Sequence, residues 1–125
     1  MLKVIKKDEA LGAYIEDINL SNISEKTSIG LLSCLAENEV LFFRNQNISP
    51  RDHKRFASFF GNLQTHPAYP TVEGFPEITI LENDEENPSK IEEWHTDMTF
   101  KKNPPLGSIL IGRIIPESGG DTMFS

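Results

Sequence analysis

The chain has 125 residues, 38% of them hydrophobic and 25% charged, which is typical of one soluble globular domain at most. Its formal net charge of −7 disfavours nucleic acid as a partner, because a phosphate backbone selects for basic surfaces. The single cysteine, Cys34, excludes an internal disulfide. The chain shows no apolar signal core and no run of membrane-spanning length, so we expect a cytoplasmic protein without a membrane partner.

The first 45 residues predict strands around one helix. Short apolar–polar alternations at residues 2–6 and 13–18 are typical of edge strands. Ser24 is suited to an N-cap, and apolar residues at helical spacing predict a helix over residues 25–37. Residues 40–43 are aliphatic and aromatic, and they predict a short buried strand.

The next segment predicts a second helix, a loop and a strand. Ser49-Pro50-Arg51-Asp52 combines a capping residue, a proline at the first helical position and an acidic third residue. We expect this helix to continue to Phe60, with His53 on its surface. Residues 62–74 are typical of a loop, and residues 78–81 predict a strand.

The C-terminal third predicts a loop followed by three strands. Residues 82–93 are acidic and contain Asn87-Pro88, which favours a long loop. We expect strands over residues 94–100, over the apolar run 107–115 and from Asp121 onward.

The segment Trp-His-Thr-Asp-Met-Thr-Phe at residues 94–100 has the residues for metal chemistry. In an extended chain His95 and Asp97 lie on one face, where an imidazole and a carboxylate can share an ion. They would be two corners of the 2-His-1-carboxylate triad that holds non-haem Fe(II). A His-x-Asp triplet also occurs in solvated turns, so the surrounding residues decide.

Those surrounding residues carry a resemblance. Pro104-Pro105 follows the motif, and Gly119-Gly120-Asp121-Thr122 places Thr122 27 residues after His95. This order resembles the taurine dioxygenase family (TauD/TfdA-type Fe(II)/2-oxoglutarate dioxygenases), which carries W-H-T-D-x-[ST]-F, then P-P, then G-G-D-T. F-F-R-x-Q, F-A-x-x-F-G and H-P within Phe42–Pro67 resemble the same family, so the likeness covers nearly the whole chain.

The resemblance implies roles for three residues at the metal and cosubstrate. His95 and Asp97 would be ligands of Fe(II), with 2-oxoglutarate and O₂ as the other reactants. Thr122 would donate a hydrogen bond to the distal carboxylate of 2-oxoglutarate, which is a charge-assisted bond. The alternative for Thr122 is an ordinary strand threonine.

The resemblance also implies residues that contact the substrate. His66 and Tyr69, in His-Pro-x-Tyr, would face a small anionic head group, and the alternative is a polar surface loop. Met98 would offer its backbone N–H to the substrate anion, while its side chain forms pocket wall.

The implied fold is mainly β with flanking helices: a partial double-stranded β-helix, or jelly roll, of which the chain holds the N-terminal half only. The family's second ligand histidine and its cosubstrate arginine lie downstream of G-G-D-T. We therefore expect residues 1–125 to be the N-terminal portion of a single dioxygenase domain, truncated at the C-terminus and inactive alone. Whether the intact form is a homo-oligomer stays open.

The implied reaction is hydroxylation of a small anionic substrate such as taurine or another sulfonate. Taurine-specific members carry an Asp-Asn pair where this chain has Lys90 and Ile91, so the substrate could also be an aryloxyalkanoate, a carnitine precursor or an alkyl sulfate. Two other classes remain open. One is a non-catalytic binding or assembly module, and the other is a zinc-dependent hydrolase that uses His-x-Asp.

Overall fold

A three-stranded sheet crossed by one helix forms the N-terminal part of the fold. The structure, a computed structural model, describes residues 1–8, 10–66 and 68–125. Strand β1 (Lys3–Lys6) pairs antiparallel with β2 (Ala13–Glu16), which pairs in parallel with β3 (Leu41–Phe42). Helix α1 (Glu25–Asn38), preceded by a 3₁₀ turn at Leu20–Asn22, makes the crossover from β2 to β3. The two predicted N-terminal strands and the first helix are thus confirmed, but the expectation that both strands are edge strands is wrong for β2, which lies in the middle of the sheet.

The ends of α1 follow from its capping residues. The Ser24 hydroxyl accepts a hydrogen bond from the Thr27 N–H at 3.1 Å. At the other end Glu39 has a φ of 68°, a left-handed conformation that turns the chain, and its N–H donates to the Leu35 carbonyl at 2.7 Å. The predicted buried strand at 40–43 is wrong in extent, because β3 has only two residues. Both are half-buried, since β3 is an edge strand of this sheet.

The second helix begins at the predicted position. Helix α2 spans Pro50–Ser58, and its capping box is complete. The Ser49 hydroxyl accepts from the Asp52 N–H at 3.1 Å, and the Ser49 N–H donates to the Asp52 carboxylate at 3.0 Å. The predicted end at Phe60 is two residues too late.

The core lies between the sheet and the two helices. Phe56 of α2 is 3% exposed and makes edge-on ring contacts with Phe43 and Phe60. Among the described residues, the buried apolar side chains all come from the first half of the chain: Ala13, Ile15, Leu20, Ile23, Leu31, Ile48 and Phe56. Neither helix in the described ranges has the length and apolar character needed to cross a bilayer.

Gln46 joins the loop after β2 to the loop after β3. Its amide nitrogen donates to the carbonyls of Ile18 at 2.9 Å and Arg44 at 3.0 Å, and its oxygen accepts from the Leu20 N–H at 2.9 Å. This is the glutamine of the F-F-R-x-Q motif, so the structure gives that motif residue a packing role.

A small hairpin packs against α2. Strands β4 (Thr71–Val72) and β5 (Phe75–Thr79) are antiparallel, and Gly74, at a φ of 80°, makes the turn between them. Lys54 of α2 contacts Glu77 of β5 at 3.0 Å. The predicted strand at 78–81 is therefore misplaced, because the pairing begins three residues earlier. Leu81 lies beyond the hairpin and is 58% exposed.

The described residues after β5 contain no strand. The predicted strands at 94–100, at 107–115 and from Asp121 are wrong for this structure, because no neighbouring strand in the described part offers them a ladder. Residues 107–115 instead pack as irregular chain, with Ile109 and Ile111 partly buried against the core. The described strands and helices are few, which is consistent with a partial fold, and they do not by themselves establish the mainly β expectation.

Candidate functional site

The Trp94–Phe100 segment forms a turn where a strand was expected. Met98 has a φ of 56°, in the left-handed region that a residue with a Cβ adopts only when its surroundings require it. The Lys101 N–H donates to the Met98 carbonyl at 3.2 Å, and the hydroxyls of Thr96 and Thr99 are 2.6 Å apart. The turn, rather than a strand's alternation, therefore sets the directions of the motif side chains.

The structure still brings His95 and Asp97 together. His95 Nε2 lies 3.1 Å from Asp97 Oδ1, and both side chains are exposed, by 50% and 73%. His95 Nδ1 lies 2.9 Å from the Glu93 carbonyl oxygen. A carbonyl oxygen only accepts, so Nδ1 carries a proton and donates it there.

This hydrogen bond determines what can lie between the pair. With the Nδ1 proton committed to Glu93, a neutral His95 would present a lone pair to a carboxylate oxygen at 3.1 Å. Two acceptors at that distance repel, so a proton or a metal ion belongs between them. The pKa of His95 is raised above its ordinary value, chiefly because the hydrogen bond to the Glu93 carbonyl favours the imidazolium. Desolvation opposes this, and the charge of Asp97 and its hydrogen bond then raise the pKa further.

No third ligand joins the pair in the described residues. In residues 1–8, 10–66 and 68–125 no group of three His, Cys, Asp or Glu side chains lies close enough to hold a metal ion. Thr122 is exposed, and within those same residues it has no hydrogen bond to His95 or Asp97. The structure thus assembles the His95–Asp97 pair, and no hydrogen bond joins Thr122 to it in the described part of the chain.

The two predicted substrate residues of the loop after α2 contact each other. The rings of His66 and Tyr69 have centroids 4.9 Å apart, and His66 Nδ1 accepts from the Ala68 N–H at 3.1 Å. Pro67, which the resemblance included, lies outside the described residues. His66 is half-buried and Tyr69 is 40% exposed, so both rings remain partly accessible.

One side-chain contact ties this loop to the motif turn. Lys101 Nζ donates to Gln64 Oε1 at 3.0 Å, and the same Lys101 closes the turn on Met98 through its backbone. Met98 is the only half-buried residue of the motif, and its role as a pocket wall stays a prediction. No sequence signal pointed to the Gln64–Lys101 contact, because a surface Lys and Gln are common anywhere.

An open groove runs beside the pair. It is lined by consecutive residues of the acidic loop and the motif: Lys90, Ile91, Glu92, Glu93, Trp94 and His95. Trp94 is 68% and Ile91 57% exposed, so apolar surface lies at this groove.

The expected surface position of His53 on α2 is wrong. Its Nε2 lies 2.9 Å from the Ile109 carbonyl oxygen, and the side chain is half-buried instead of lying on the outer helix surface. The acceptor is a backbone atom 56 positions away, so no residue type marks it.

The chain is similar to known proteins in sequence and in fold. Residues 6–125 match the family described as taurine catabolism dioxygenase TauD, TfdA family. The chain is 36% identical to an alkylsulfatase of Acinetobacter baylyi over 99% of its own length and 39% of the relative. It is 32% identical to an alpha-ketoglutarate-dependent sulfate ester dioxygenase of Pseudomonas putida over 92% of its length and 38% of the relative.

The fold is similar to part of a solved structure. A taurine dioxygenase from Burkholderia xenovorans superposes with a TM-score of 0.55 and 25% identity, over 60% of this chain and 28% of that one. The chain spans about two fifths of the length of the two curated relatives it matches.

Proposed function

Because this chain belongs to the TauD, TfdA family of taurine catabolism dioxygenases, we propose that it is the N-terminal part of an Fe(II)- and 2-oxoglutarate-dependent dioxygenase. Its residues would supply two of the three metal ligands, His95 and Asp97. The remaining ligand and the rest of the jelly roll would lie outside residues 1–125, since the relatives are more than twice as long. The observation that carries the proposal is the contact between His95 Nε2 and Asp97 Oδ1.

The geometry of that contact suits a metal ion. Two ligand atoms at about 2.1 Å from an octahedral ion, at right angles, are about 3.0 Å apart. The observed 3.1 Å is close to that separation. The Glu93 carbonyl holds the Nδ1 proton and leaves Nε2 for the ion, which is the arrangement usual for metal-bound histidine.

The chemistry would divide between the metal and the chain. Bound Fe(II) with 2-oxoglutarate and O₂ supplies the oxidation that hydroxylates a substrate carbon and yields succinate and CO₂. The chain's own residues bind and orient. Thr122 would donate to the distal carboxylate of 2-oxoglutarate, and Glu93 would hold the His95 ring in its ligating orientation.

The substrate class we propose is an alkyl chain carrying an anionic sulfur–oxygen group, as a sulfate ester or sulfonate. Lys90 is a cation in the groove beside His95, and Ile91 and Trp94 present apolar surface there. The names of the two relatives support a sulfate ester. Glu92 and Glu93 line the same groove and would favour an ammonium group, so the substrate class requires its own test.

Residues around the motif turn would complete the substrate site. The His66 and Tyr69 rings lie together and partly accessible, and the Lys101–Gln64 bond ties their loop to the turn. His66 Nδ1 accepts from the backbone, so its Nε2 is left to donate to a substrate oxygen. The left-handed Met98 would direct its backbone N–H toward the same anion.

A chimaera tests the proposed activity. Residues 1–125 would replace the matching N-terminal two fifths of the Acinetobacter baylyi alkylsulfatase. With Fe(II), 2-oxoglutarate and an alkyl sulfate, we expect CO₂ release coupled to substrate loss. His95→Ala or Asp97→Ala should abolish this release, while Glu86→Ala, an exposed carboxylate of the neighbouring loop, should not.

The alternatives predict different outcomes for the same chimaera. Hydrolysis supported by zinc without 2-oxoglutarate would favour the hydrolase interpretation. A folded chimaera that binds iron and releases no CO₂ would contradict the dioxygenase proposal and favour a non-catalytic module.

A further inference from the structure

Two side-chain hydrogen bonds fasten the irregular segment 109–113 to the helical half of the protein. His53 of α2 donates from Nε2 to the Ile109 carbonyl oxygen at 2.9 Å. Arg113 donates from Nη2 to the Ile48 carbonyl oxygen, also at 2.9 Å. The donor of the first bond belongs to α2 and the donor of the second belongs to segment 109–113. Each of the two parts therefore supplies one of the bonds that join them.

The bonds mark the two ends of the segment. Between them Ile111 is half-buried and Leu110 is 64% exposed, so the segment alternates as a strand would without belonging to a sheet. Ile109 and Ile111 pack against the core, but apolar contact alone does not fix where a chain lies along its axis. Directional hydrogen bonds at both ends do fix it.

The segment leads directly into the residues expected to meet the cosubstrate. After Arg113 the chain continues through Pro116 to Gly119-Gly120 and then Thr122. Both glycines have left-handed φ values, 80° and 66°, so this turn has a defined backbone shape. The shape of this turn determines the position of Thr122 only if the preceding segment, residues 109–113, is itself fixed in place.

We propose that His53 and Arg113 are positioning residues that fix segment 109–113 and thereby the Gly119–Thr122 turn. Any effect on 2-oxoglutarate binding rests on the proposed function, because the role of Thr122 belongs to that proposal. The fixed position of segment 109–113 does not depend on the proposed function. His53 acts through its Nε2 proton and Arg113 through its guanidinium, and neither contacts substrate.

Limited trypsin digestion of the dilute chain tests whether segment 109–113 is fixed in place. Trypsin cleaves after Arg113 only when that side chain and its backbone are free, and Arg113 is followed by Ile114. Lys90-Ile91 is a matched site in an exposed loop and is the internal reference. In the wild-type chain we expect cleavage after Arg113 to be slower than cleavage after Lys90.

Substitutions at His53 separate hydrogen bonding from packing. His53→Leu removes the donor and should raise the Arg113-to-Lys90 cleavage ratio roughly fivefold, the change expected for one hydrogen bond of ordinary net strength. His53→Gln keeps an N–H that can reach the Ile109 carbonyl and should return the ratio close to wild type. Arg51→Gln, on the exposed side of α2, should leave it unchanged.

Several outcomes would overturn the proposal. One is equal cleavage at Arg113 and Lys90 in the wild-type chain, and another is a His53→Gln ratio as high as that of His53→Leu. If His53→Leu lowers the thermal unfolding midpoint of the whole chain, His53→Asn decides, since its shorter amide stays polar but stops short of the carbonyl. An unchanged ratio in His53→Asn contradicts the proposal. The cleavage ratio is measured without metal or turnover. The positioning proposal can therefore be wrong while the dioxygenase proposal is right, and the dioxygenase proposal can be wrong while the positioning proposal is right.

Discussion

At the scale of single residues, the His95–Asp97 pair was accessible from sequence and its geometry was not. The residue types and their spacing pointed to a shared ion. The hydrogen bond from His95 to the Glu93 carbonyl was not predictable, because its acceptor is a backbone atom that depends on the local fold. Strand alternation predicted that His95 and Asp97 lie on one face, whereas their side chains meet across a turn at the left-handed Met98.

The isolated chain should bind Fe(II) weakly. Two ligands give little chelation, and a carboxylate with an imidazole discriminates poorly among divalent ions. Anaerobic Fe(II) titration followed by calorimetry measures the affinity, with His66→Ala as a histidine control. Micromolar affinity that disappears in His95→Ala would mean that residues 1–125 contain a third ligand, and the half-site proposal would be wrong.

Thr122→Val in the chimaera should weaken the binding of 2-oxoglutarate more than the binding of the substrate. Valine keeps the shape and removes the hydroxyl, which costs about 1.5–3 kcal/mol for a hydrogen bond to a charged group. The Michaelis constants for cosubstrate and substrate measure the two effects separately. Equal cosubstrate constants in Thr122→Val and the parent would assign Thr122 an ordinary structural role.

Trp94 offers a direct test of the substrate class. It is the only tryptophan of the chain and lines the groove, so its fluorescence reports on ligand there. Pentyl sulfate should shift the emission in a saturable way, and taurine should shift it little. Lys90→Gln should weaken the binding of pentyl sulfate by up to about fivefold, which is the range for loss of an exposed ion pair. Lys102→Gln, outside the groove, is the matched control, and tighter binding of taurine than of pentyl sulfate would reverse the assignment.

At the scale of elements, predictions that rested on local sequence signals were correct. Predictions of strands failed where the described chain offers no neighbouring strand to pair with. Helices α1 and α2 were predictable because caps and helical spacing are encoded within a few residues. Segment 107–115 was predicted as a strand from its apolar residues, but a strand also needs a hydrogen-bonded neighbour. The hairpin β4–β5 was misplaced because Gly74, not apolar content, sets its register.

The capping box of α2 gives a stability prediction. Ser49→Ala should destabilise the chain by about 1 kcal/mol, because the Asp52 N–H loses its acceptor. Urea unfolding followed by circular dichroism measures this. Ser58→Ala is a control at the other end of the helix, where the hydroxyl donates to the Lys54 carbonyl. A loss as large in Ser58→Ala would mean that capping is not the cause.

The same box predicts a pH dependence. The Ser49 backbone N–H lowers the pKa of Asp52 below its ordinary value of 3.8, because it stabilises the carboxylate. A lowered folded-state pKa adds stability above the ordinary value, and this stability is lost as the pH falls through the lowered one. The stability difference between wild type and Asp52→Asn should therefore be constant near neutral pH and shrink in acid. A difference that grows in acid would contradict this assignment.

At the scale of the whole molecule, the chain divides into a packed first half and an exposed last third. Eight large apolar side chains after residue 93 are more than half exposed: Trp94, Phe100, Leu106, Leu110, Ile114, Ile115, Met123 and Phe124. So much apolar surface in one region favours association, so we expect the concentrated chain to be oligomeric. Size-exclusion chromatography with light scattering measures this.

Paired substitutions locate the associating surface. Ile114→Lys with Ile115→Lys should shift the chain toward monomer, while Ile29→Lys should not. Ile29 is 65% exposed on α1, so it controls for added charge at an exposed isoleucine. A sharp, cooperative unfolding transition from a wild-type monomer would mean that these residues form a complete domain.

The position of the core along the chain bears on synthesis. Its buried residues run from Ala13 to Phe56, and the parallel β2–β3 pair closes once α1 lies between them. A nascent chain emerging from the ribosome can therefore bury this cluster before Trp94 has been made. The Trp94–Phe100 segment then follows a cluster that is already packed, and Ile109 and Ile111 add to that cluster afterwards.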